Sequence, residues 1–139
     1  MNKNYRKGYN FQRRVIKYLN SKGFSAVVQP KSAFPDIIAW NHIVDDNNNP
    51  FIFDITLRRE GKEYLKKFVP FIIFAVECKV NKYLTKEEKE KAIEMLRKNK
   101  ITAFLVAYRE RKKLNFYEIN IDKKIENKLK NEDFTRYIG

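Results

Sequence analysis

With 139 residues, the chain has the length of one domain, and we expect residues 1–139 to share a single hydrophobic core. Its 30 Lys and Arg residues against 17 Asp and Glu residues give a formal net charge of +13, which makes nucleic acid the first candidate partner and an anionic membrane surface the second. One cysteine excludes an internal disulfide bond, and one histidine argues against histidine-based metal sites and nucleophile–histidine catalysis, so carboxylates and lysines must carry any chemistry.

An amphipathic helix and two strands are predicted for the start of the chain. The helix covers Lys3 to Lys22 and is followed by Gly23, a residue that suits a helix end. Short strands are predicted from Phe24 to Gln29 and from Pro35 to Trp40. The apolar residues at helical spacing are Phe11, Val15, Tyr18 and Leu19.

The middle of the chain has a strand pattern that a polar loop interrupts. Asp45 to Pro50 consists of turn-forming residues and predicts a turn or loop. Phe51 to Leu57 alternates apolar and polar residues, as a half-exposed strand does, whereas the apolar residues of Arg58 to Val69 suggest a short helix. The long apolar run from Phe71 to Val80 predicts a strand.

A helix, a hairpin and a final helix are predicted for the rest of the chain. Thr85 and Glu88 have the spacing of a capping box, which begins a helix. Ile101 to Tyr108 predicts a strand, and Leu114 to Ile121 predicts its hairpin partner. The order of these elements predicts an α/β fold around a central mixed sheet. A last helix is suggested by apolar residues at four-residue steps, namely Ile121, Ile125 and Leu129.

Charged residues lie inside two of the apolar segments. Asp36 stands at the start of one predicted strand, and Glu77 and Lys79 stand near the end of another. Because side chains alternate along a strand, Glu77 and Lys79 share one face while Cys78 points to the other. The two carboxylates could hold a hard divalent cation such as Mg²⁺, and the lysine could orient or deprotonate an attacking water or offset charge on a phosphate. This pattern is typical of metal-dependent phosphodiester cleavage.

The acid-x-Lys tripeptide is not specific, since it recurs several times in this charged chain. Glu77 is the one that lies within a long apolar run, where ionisable groups are costly to bury without partners or a metal. The alternative is that the strand simply emerges into solvent at this point. We interpret Cys78 as a small core residue, because an acidic neighbour and burial both disfavour a thiolate.

Basic and aromatic residues near the N-terminus and before Asp36 are candidates for phosphate contacts. Arg6 and Lys7 lie beside tyrosines and fit a phosphate-binding segment, or alternatively a solvated helix start. Lys31 and Ser32 lie in the loop before Asp36, although Ser32 could equally be a plain turn residue. The predicted DNA-binding residues are Tyr5, Arg6, Lys7, Arg13, Lys31 and Ser32.

Several segments match one nuclease family in order and spacing. They are Tyr5-Arg6-Lys7-Gly8, Lys22-Gly23-Phe24-Ser25-Ala26-Val27-Val28, Ser32 with Asp36, Glu77-Cys78-Lys79-Val80, Leu84-Thr85-Lys86-Glu87-Glu88 and Ala103-Phe104-Leu105-Val106-Ala107. In these segments the chain resembles the archaeal Holliday-junction resolvases of the PD-(D/E)xK nuclease superfamily. The resemblance implies a restriction-endonuclease-like fold, a central mixed β-sheet flanked by helices. It also implies a homodimer that binds four-way DNA junctions by shape and cuts two strands symmetrically with Mg²⁺, for which Mn²⁺ can substitute.

The resemblance also assigns roles to single residues. Asp36 and Glu77 become metal ligands, the Cys78 backbone carbonyl becomes a further ligand, and Lys79 becomes the catalytic lysine. Gln12 stands where family members usually carry a glutamate on the first helix. Its oxygen can still coordinate a cation, but it brings no negative charge, so we expect a weaker metal site.

A second departure from the family is the length between the two acids. Glu77 follows Asp36 by 41 positions, so residues 41–70 are predicted to be an insertion that extends a DNA contact or a dimer interface, or marks a different substrate. Two alternative functions therefore remain, a restriction- or repair-type nuclease on other DNA substrates and a catalytically weak DNA-binding module. Phosphate contacts alone also leave RNA open.

Location and origin follow from weaker signals. The chain has no long apolar segment and no signal-peptide pattern, so we expect a cytoplasmic, intracellular protein without membrane contact. Its richness in Lys, Asn and Ile, with the resolvase-like pattern, would suit an archaeon or an archaeal virus. A role in DNA recombination and repair would follow from the resemblance.

Overall fold

The structure is a computed structural model that describes residues 3–31 and 33–136, with side chains for residues 6–31 and 33–134. The three helices in this part of the chain are α1 (Lys3–Ser21), α2 (Lys86–Arg97) and α3 (Asn131–Arg136). The strands are β1 (Ser25–Val28), β2 (Ile37–His42), β3 (Phe53–Arg59), β4 (Lys62–Phe68), β5 (Phe71–Val80), β6 (Ala103–Glu110), β7 (Lys113–Asn120) and β8 (Ile125–Lys128).

Six strands form one mixed sheet in the order β1-β2-β5-β6-β7-β8. Neighbouring strands are antiparallel except β5 and β6, which run parallel and are connected by α2. Parallel neighbouring strands need a crossover connection, and here α2 provides it. The predicted α/β fold with a central mixed sheet and flanking helices is therefore confirmed.

The two faces of the sheet carry separate hydrophobic clusters. On one face α1 packs its stripe of Phe11, Val15 and Leu19 against the strands, as its helical spacing predicted. Within the same cluster, the rings of Phe24 and Phe74 stack with centroids 4.9 Å apart. On the other face α2 packs Ala92 and neighbouring residues against β5 and β6. None of the helices in the described part of the chain is long and apolar enough to cross a membrane.

The antiparallel pairing of β2 and β5 places Asp36 beside Glu77. Ile37 lies opposite Val76, so the residue before β2 and the residue after Val76 meet at the same edge. β2 extends six residues from this edge, about 20 Å, and ends at His42. The strand pair thus has a charged end at Asp36 and Glu77 and an opposite end at His42 and Phe71.

The predicted short helix between Arg58 and Val69 is wrong, because this segment forms β4. β3 and β4 are joined by the two-residue turn Glu60-Gly61, and both residues have positive φ, 53° and 75°. This is the turn conformation that matches the twist of a tight hairpin, and glycine adopts it without strain. The apolar spacing suggested a helix, but the turn sets Tyr64 opposite Leu57 instead.

The predicted C-terminal helix through Ile121, Ile125 and Leu129 is also wrong. The Asn120 side chain accepts hydrogen bonds from the Asp122 and Lys123 amides at 3.0 and 2.9 Å, and the chain then reverses. β8 follows and pairs with β7, so Ile125 lies in a strand. A side chain that binds its own local backbone offers an alternative to a helix, and the four-residue spacing did not reveal it.

The β3–β4 hairpin, residues 53–68, stands apart from the main sheet and is called the arm below. It leaves the body at the far end of β2 and β5, where the Ile43 amide donates to the Pro70 carbonyl at 3.2 Å. β3 was predicted to be a half-exposed strand, but every residue of the arm except Ile55 is exposed. The segment 41–70 that the sequence marked as an insertion contains the arm.

Candidate active site

Asp36 and Glu77 each bind the backbone of the other residue's strand. The Asp36 amide donates to Glu77 Oε1 at 3.0 Å, and the Cys78 amide donates to Asp36 Oδ2 at 2.9 Å. These two bonds fix both carboxylates at the end of the β2–β5 pair. Asp36 Oδ1 and Glu77 Oε2 are the oxygens that this exchange leaves for other partners.

Glu77 and Lys79 lie on the same face of β5 and are both buried, with 6% and 5% of their surface exposed. The alternative that the strand emerges into solvent here therefore does not hold. Lys79 Nζ lies 3.6 Å from Glu77 Oε2 and 2.7 Å from Glu88 Oε2. A buried ammonium needs such partners, because an uncompensated buried charge costs several kcal/mol.

Glu88 is a site residue that the sequence reading missed. The predicted capping box is present: Thr85 Oγ1 accepts from the Glu88 amide at 3.1 Å, and Glu88 Oε1 accepts from the Thr85 amide at 3.0 Å. Its other oxygen, Oε2, accepts from Lys79 Nζ. Burial favours protonated Glu88, but the hydrogen bonds from Lys79 and Thr85 outweigh it and lower the pKa to about 2. The capping box was predicted from the sequence, but the contact of Glu88 with Lys79 was not.

Burial and the neighbouring carboxylate of Asp36 shift the pKa of Glu77. Burial, and then the hydrogen bond and negative charge of Asp36, raise the pKa of Glu77 to about 9, while Lys79 opposes the shift. Two carboxylates that share a site resist double ionisation. A cation between them would favour the charged form of both, as it does wherever an ion is the largest local charge.

A cleft of about 760 Å³ lies in front of these side chains. It is lined by residues of α1, β5, α2 and the loops beside them, among them Lys7, Phe11, Gln12, Phe34, Asp36, Glu77, Cys78, Lys79, Lys82, Glu88 and Lys91. The structure therefore brings four predicted catalytic residues, Asp36, Glu77, Lys79 and Gln12, to one cleft. Their convergence comes from three elements that are far apart in the chain.

The oxygen ligands in the cleft fit Mg²⁺. Within the described residues no three His, Cys, Asp or Glu side chains form a group that could hold a metal ion. Mg²⁺ does not need such a cage, because it is usually bound by one or two carboxylates and keeps several waters or takes substrate phosphates. Asp36 and Glu77 provide two carboxylates, and the amide oxygen of Gln12 adds a neutral donor at the cleft wall.

Cys78 matches its predicted role as a packing residue. Its side chain lies on the face opposite Glu77 and Lys79, against the cluster under α1. Burial, and then the charges of Asp36 and Glu77, raise the pKa of its thiol well above the ordinary value. A thiol held in this state is a poor nucleophile.

The predicted DNA-binding residues differ in their position relative to the cleft. Lys7 lines the cleft, together with Lys82 and Lys91, which the sequence reading did not single out. Arg6 and Lys31 are exposed but are not among the residues that line the cleft. Arg13 lies away from it, with its guanidinium 5.8 Å from the centroid of the Tyr9 ring. Ser32 and the Tyr5 side chain fall outside the described residues.

Comparisons with known proteins find similar solved structures but no matching family model. No protein-family model matches the chain, and no curated protein matches it significantly. Among solved structures, the chain is similar to Archaeoglobus fulgidus Hjc, a Holliday junction resolvase from an archaeal hyperthermophile, with a TM-score of 0.48 and 19% identity. The match covers 94% of this chain and 88% of that chain.

Proposed function

We propose that the protein is a nuclease that hydrolyses phosphodiester bonds in DNA with the help of a divalent metal ion. The observation that carries this proposal is the cleft in which Asp36 converges with the buried Glu77 and Lys79. Burial of the two ionisable groups Glu77 and Lys79 costs stability, and such costs are usually retained at functional sites. The net charge of +13 makes a polyanionic substrate favourable.

The residues of the cleft have distinct roles in this proposal. Asp36 and Glu77, with the Cys78 carbonyl and Gln12, would hold the ion, which when bound supplies Lewis-acid polarisation of the phosphate and a more acidic water. Lys79 is placed to orient the attacking water or to offset charge on the phosphate. Lys7, Lys82 and Lys91 at the cleft wall would attract the DNA backbone.

Glu88 is a positioning residue in this scheme. It keeps the Lys79 ammonium beside Glu77 through a charge-assisted hydrogen bond of 2.7 Å. Its own orientation is fixed because its second oxygen closes the capping box of α2. The start of α2 and the end of β5 are thereby coupled at the point where Lys79 is needed.

We further propose that the substrate is a four-way DNA junction and that the ion is Mg²⁺. Support for this finer proposal comes from the order and spacing of the motifs that resemble the archaeal resolvases. Symmetric cuts in two strands require two active sites, so the proposal includes a homodimer. Gln12 in the cleft favours a second candidate, a DNA-binding protein with little catalytic power, because a carboxylate is replaced by a neutral amide.

The test is cleavage by purified protein of a four-way junction and of a linear duplex of matched sequence, with Mg²⁺ and with a chelator. The proposal expects paired symmetric nicks on the junction with Mg²⁺ and none with the chelator. Cleavage of both DNAs would keep the nuclease and reject the junction as its specific substrate. Tight binding with no cut in either Mg²⁺ or Mn²⁺ would favour the second candidate.

A further inference from the structure

One face of the arm combines aromatic rings with cations. In an antiparallel pair, directly opposite residues point to the same side, and the sides alternate along each strand. Leu57 lies opposite Tyr64, and Arg59 lies opposite Lys62. We call the set that shares their side the aromatic-basic face: Phe53, Ile55, Leu57, Arg59, Lys62, Tyr64, Lys66 and Phe68. The structure describes all of these residues, and among them are three rings, three cations and no acid.

The opposite face of the arm, which the structure also describes in full, has balanced charges. It carries two acids and two cations, which are matched across the strands. Asp54 lies opposite Lys67, and Arg58 forms an ion pair with Glu63 at 2.9 Å. Glu60 belongs to the turn and to neither face. The net positive charge of the two strands is therefore concentrated on the face that also carries the rings.

The rings and cations of the aromatic-basic face are open to a ligand. Phe53, Tyr64 and Phe68 are 49%, 45% and 49% exposed. The ring of Phe51 stacks on that of Phe53 at an interplanar angle of 4°, which extends the flat aromatic surface. Within the described residues, none of the cations on this face is in an ion pair. A two-stranded ribbon of this kind is at best marginally stable in water unless something packs on it.

Unpaired nucleotides are complementary to both components of this face. Their phosphates attract the cations, and the flat surfaces of their bases stack on aromatic side chains whatever the sequence. In a duplex, neighbouring pairs cover the flat surfaces of the bases, and only the base edges are presented in the grooves. The rings of Phe53 and Phe68 have no donor or acceptor for those edges. The chemistry of the face therefore favours a single strand over a duplex.

We propose that the aromatic-basic face of the arm binds single-stranded DNA through base stacking and phosphate contacts. Two copies of the chain packed through this face would bring their cations together, so its charge disfavours a second copy. An anionic membrane would attract the same cations, and the choice of DNA over a membrane rests on the proposed function. The base of the arm lies about 20 Å from Asp36 and Glu77, so this contact is separate from the cleft.

Contact with the arm deepens the proposed function by adding a single-stranded segment to the substrate. A branched DNA with such a segment should bind more tightly than a fully paired junction, because only unpaired bases can stack on the rings. Binding needs no metal ion and is measured in a chelator, without cleavage. A protein that binds single strands through the arm but cuts no DNA would reject the nuclease and keep the arm contact. Junction cleavage by a protein whose arm variants bind single strands normally would reject the arm contact alone.

The first experiment measures the fluorescence anisotropy of labelled oligothymidylate of about 20 nucleotides, and of a duplex of the same length, with the full chain. We expect Tyr64→Ala to raise the dissociation constant for oligothymidylate about tenfold and to change that for the duplex less than about twofold. Tyr64→Phe keeps the ring and should bind as the unmodified protein does. Leu65→Ala is the matched control, because Leu65 is 74% exposed on the opposite face and should leave both constants unchanged. An unchanged constant in Tyr64→Ala, an equal loss for both DNAs, or an equal loss in Leu65→Ala would overturn the proposal.

A second experiment tests the charge of the same face. Lys66→Gln and Lys67→Gln remove the same charge from neighbouring positions on opposite faces of the arm. If Lys66 contacts a phosphate, its substitution should reduce the slope of log affinity for oligothymidylate against log salt by about 0.7, the value for one phosphate of a single strand. Lys67→Gln should reduce the slope by less than about half as much. Equal slopes for the two variants would contradict a phosphate contact on this face.

Two further probes separate the other ligands that a basic, aromatic surface can attract. Oligouridylate of the same length, and vesicles of phosphatidylserine and phosphatidylcholine, are each titrated with unmodified protein and with Tyr64→Ala. We expect the substitution to weaken binding of oligothymidylate more than binding of either probe. A larger loss on the vesicles would assign the arm to a membrane, and a larger loss on oligouridylate would assign it to RNA; either result would overturn the proposal.

Discussion

The two ends of the β2–β5 strand pair differ from the usual pattern of buried apolar and exposed charged residues in opposite ways. At one end the strands bury charged side chains, Glu77 and Lys79, while at the other end they lead into an arm that exposes Phe53 and Leu57. Buried charge and exposed apolar surface are the two informative departures in a folded protein, because each costs stability unless something compensates it. The same two strands thus carry a candidate chemical site and a candidate docking site, kept about 20 Å apart.

The difference lies in what completes each end. The charged end is largely satisfied within the chain, by the exchange between Asp36 and Cys78 and by the ion pair of Lys79 with Glu88. A divalent ion and a phosphate would add the rest. Within the described residues, the apolar side chains of the arm have no such partner and stay exposed. The two ends can therefore be tested by separate substitutions.

The largest expected effect is on catalysis, from Lys79→Met. Methionine keeps most of the length of the side chain and removes the charge, so we expect single-turnover cleavage to fall about 10³-fold with the fold retained. The measurement is the rate of junction cleavage at saturating protein, with circular dichroism to check the fold. Lys86→Met on the exposed start of α2 is the control and should leave the rate unchanged.

Stability should separate the body of the protein from the arm. Phe74 is fully buried in β5, and we expect Phe74→Ala to lower the free energy of unfolding by about 3–5 kcal/mol through a cavity. Phe53→Ala on the arm should change it by less than about 0.5 kcal/mol when measured at protein concentrations where the chain is monomeric. Urea unfolding curves give both numbers. Equal losses would mean that the arm packs on its own body.

A smaller catalytic effect is expected from Glu88→Gln, which weakens the contact that positions Lys79. We expect single-turnover cleavage to fall about tenfold, with junction affinity unchanged, because the lysine keeps Glu77 as a partner. Glu88→Asp should lose more than Glu87→Gln, whose side chain is exposed one residue away. A variant that cleaves normally but unfolds more easily would assign Glu88 to helix capping alone.

The smallest effect concerns the metal, through Gln12→Glu. A third carboxylate in the cleft should lower the Mg²⁺ concentration needed for half-maximal cleavage by a few-fold. Asn10→Asp adds the same charge on the exposed side of α1 and is the matched control. An unchanged Mg²⁺ requirement in the Gln12 variant would place residue 12 outside the metal shell.

Much of the fold followed from patterns that repeat along the sequence. The helical spacing of Phe11, Val15 and Leu19 predicted α1, and the capping box predicted the start of α2. The two helices that were predicted wrongly lie in segments where a local turn conformation determines the secondary structure. The Glu60-Gly61 turn made β4, and the Asn120 side chain turned the chain before β8. Neither event leaves a periodic signal.

The candidate site was predictable in part. Asp36, Glu77 and Lys79 stood out because they are charged within or beside apolar runs, and the structure brings them together. Glu88 was visible only as a cap, since its contact with Lys79 depends on how α2 crosses from β5 to β6. Arg13 was predicted to bind DNA, and the structure places it on α1 outside the residues that line the cleft, so its contact with DNA stays a prediction.

The most direct test of the central claim is to compare Glu77→Gln with the unmodified protein for both binding and cleavage of a four-way junction in Mg²⁺. We expect the variant to bind the junction as tightly as the unmodified protein, or slightly more so, and to give no detectable nicks, because a proposed metal ligand is lost while the basic surface stays intact. Glu90→Gln on the exposed face of α2 should cleave normally. Nicking by Glu77→Gln at the normal rate would contradict a role of Glu77 in cleavage and would place the chemistry elsewhere.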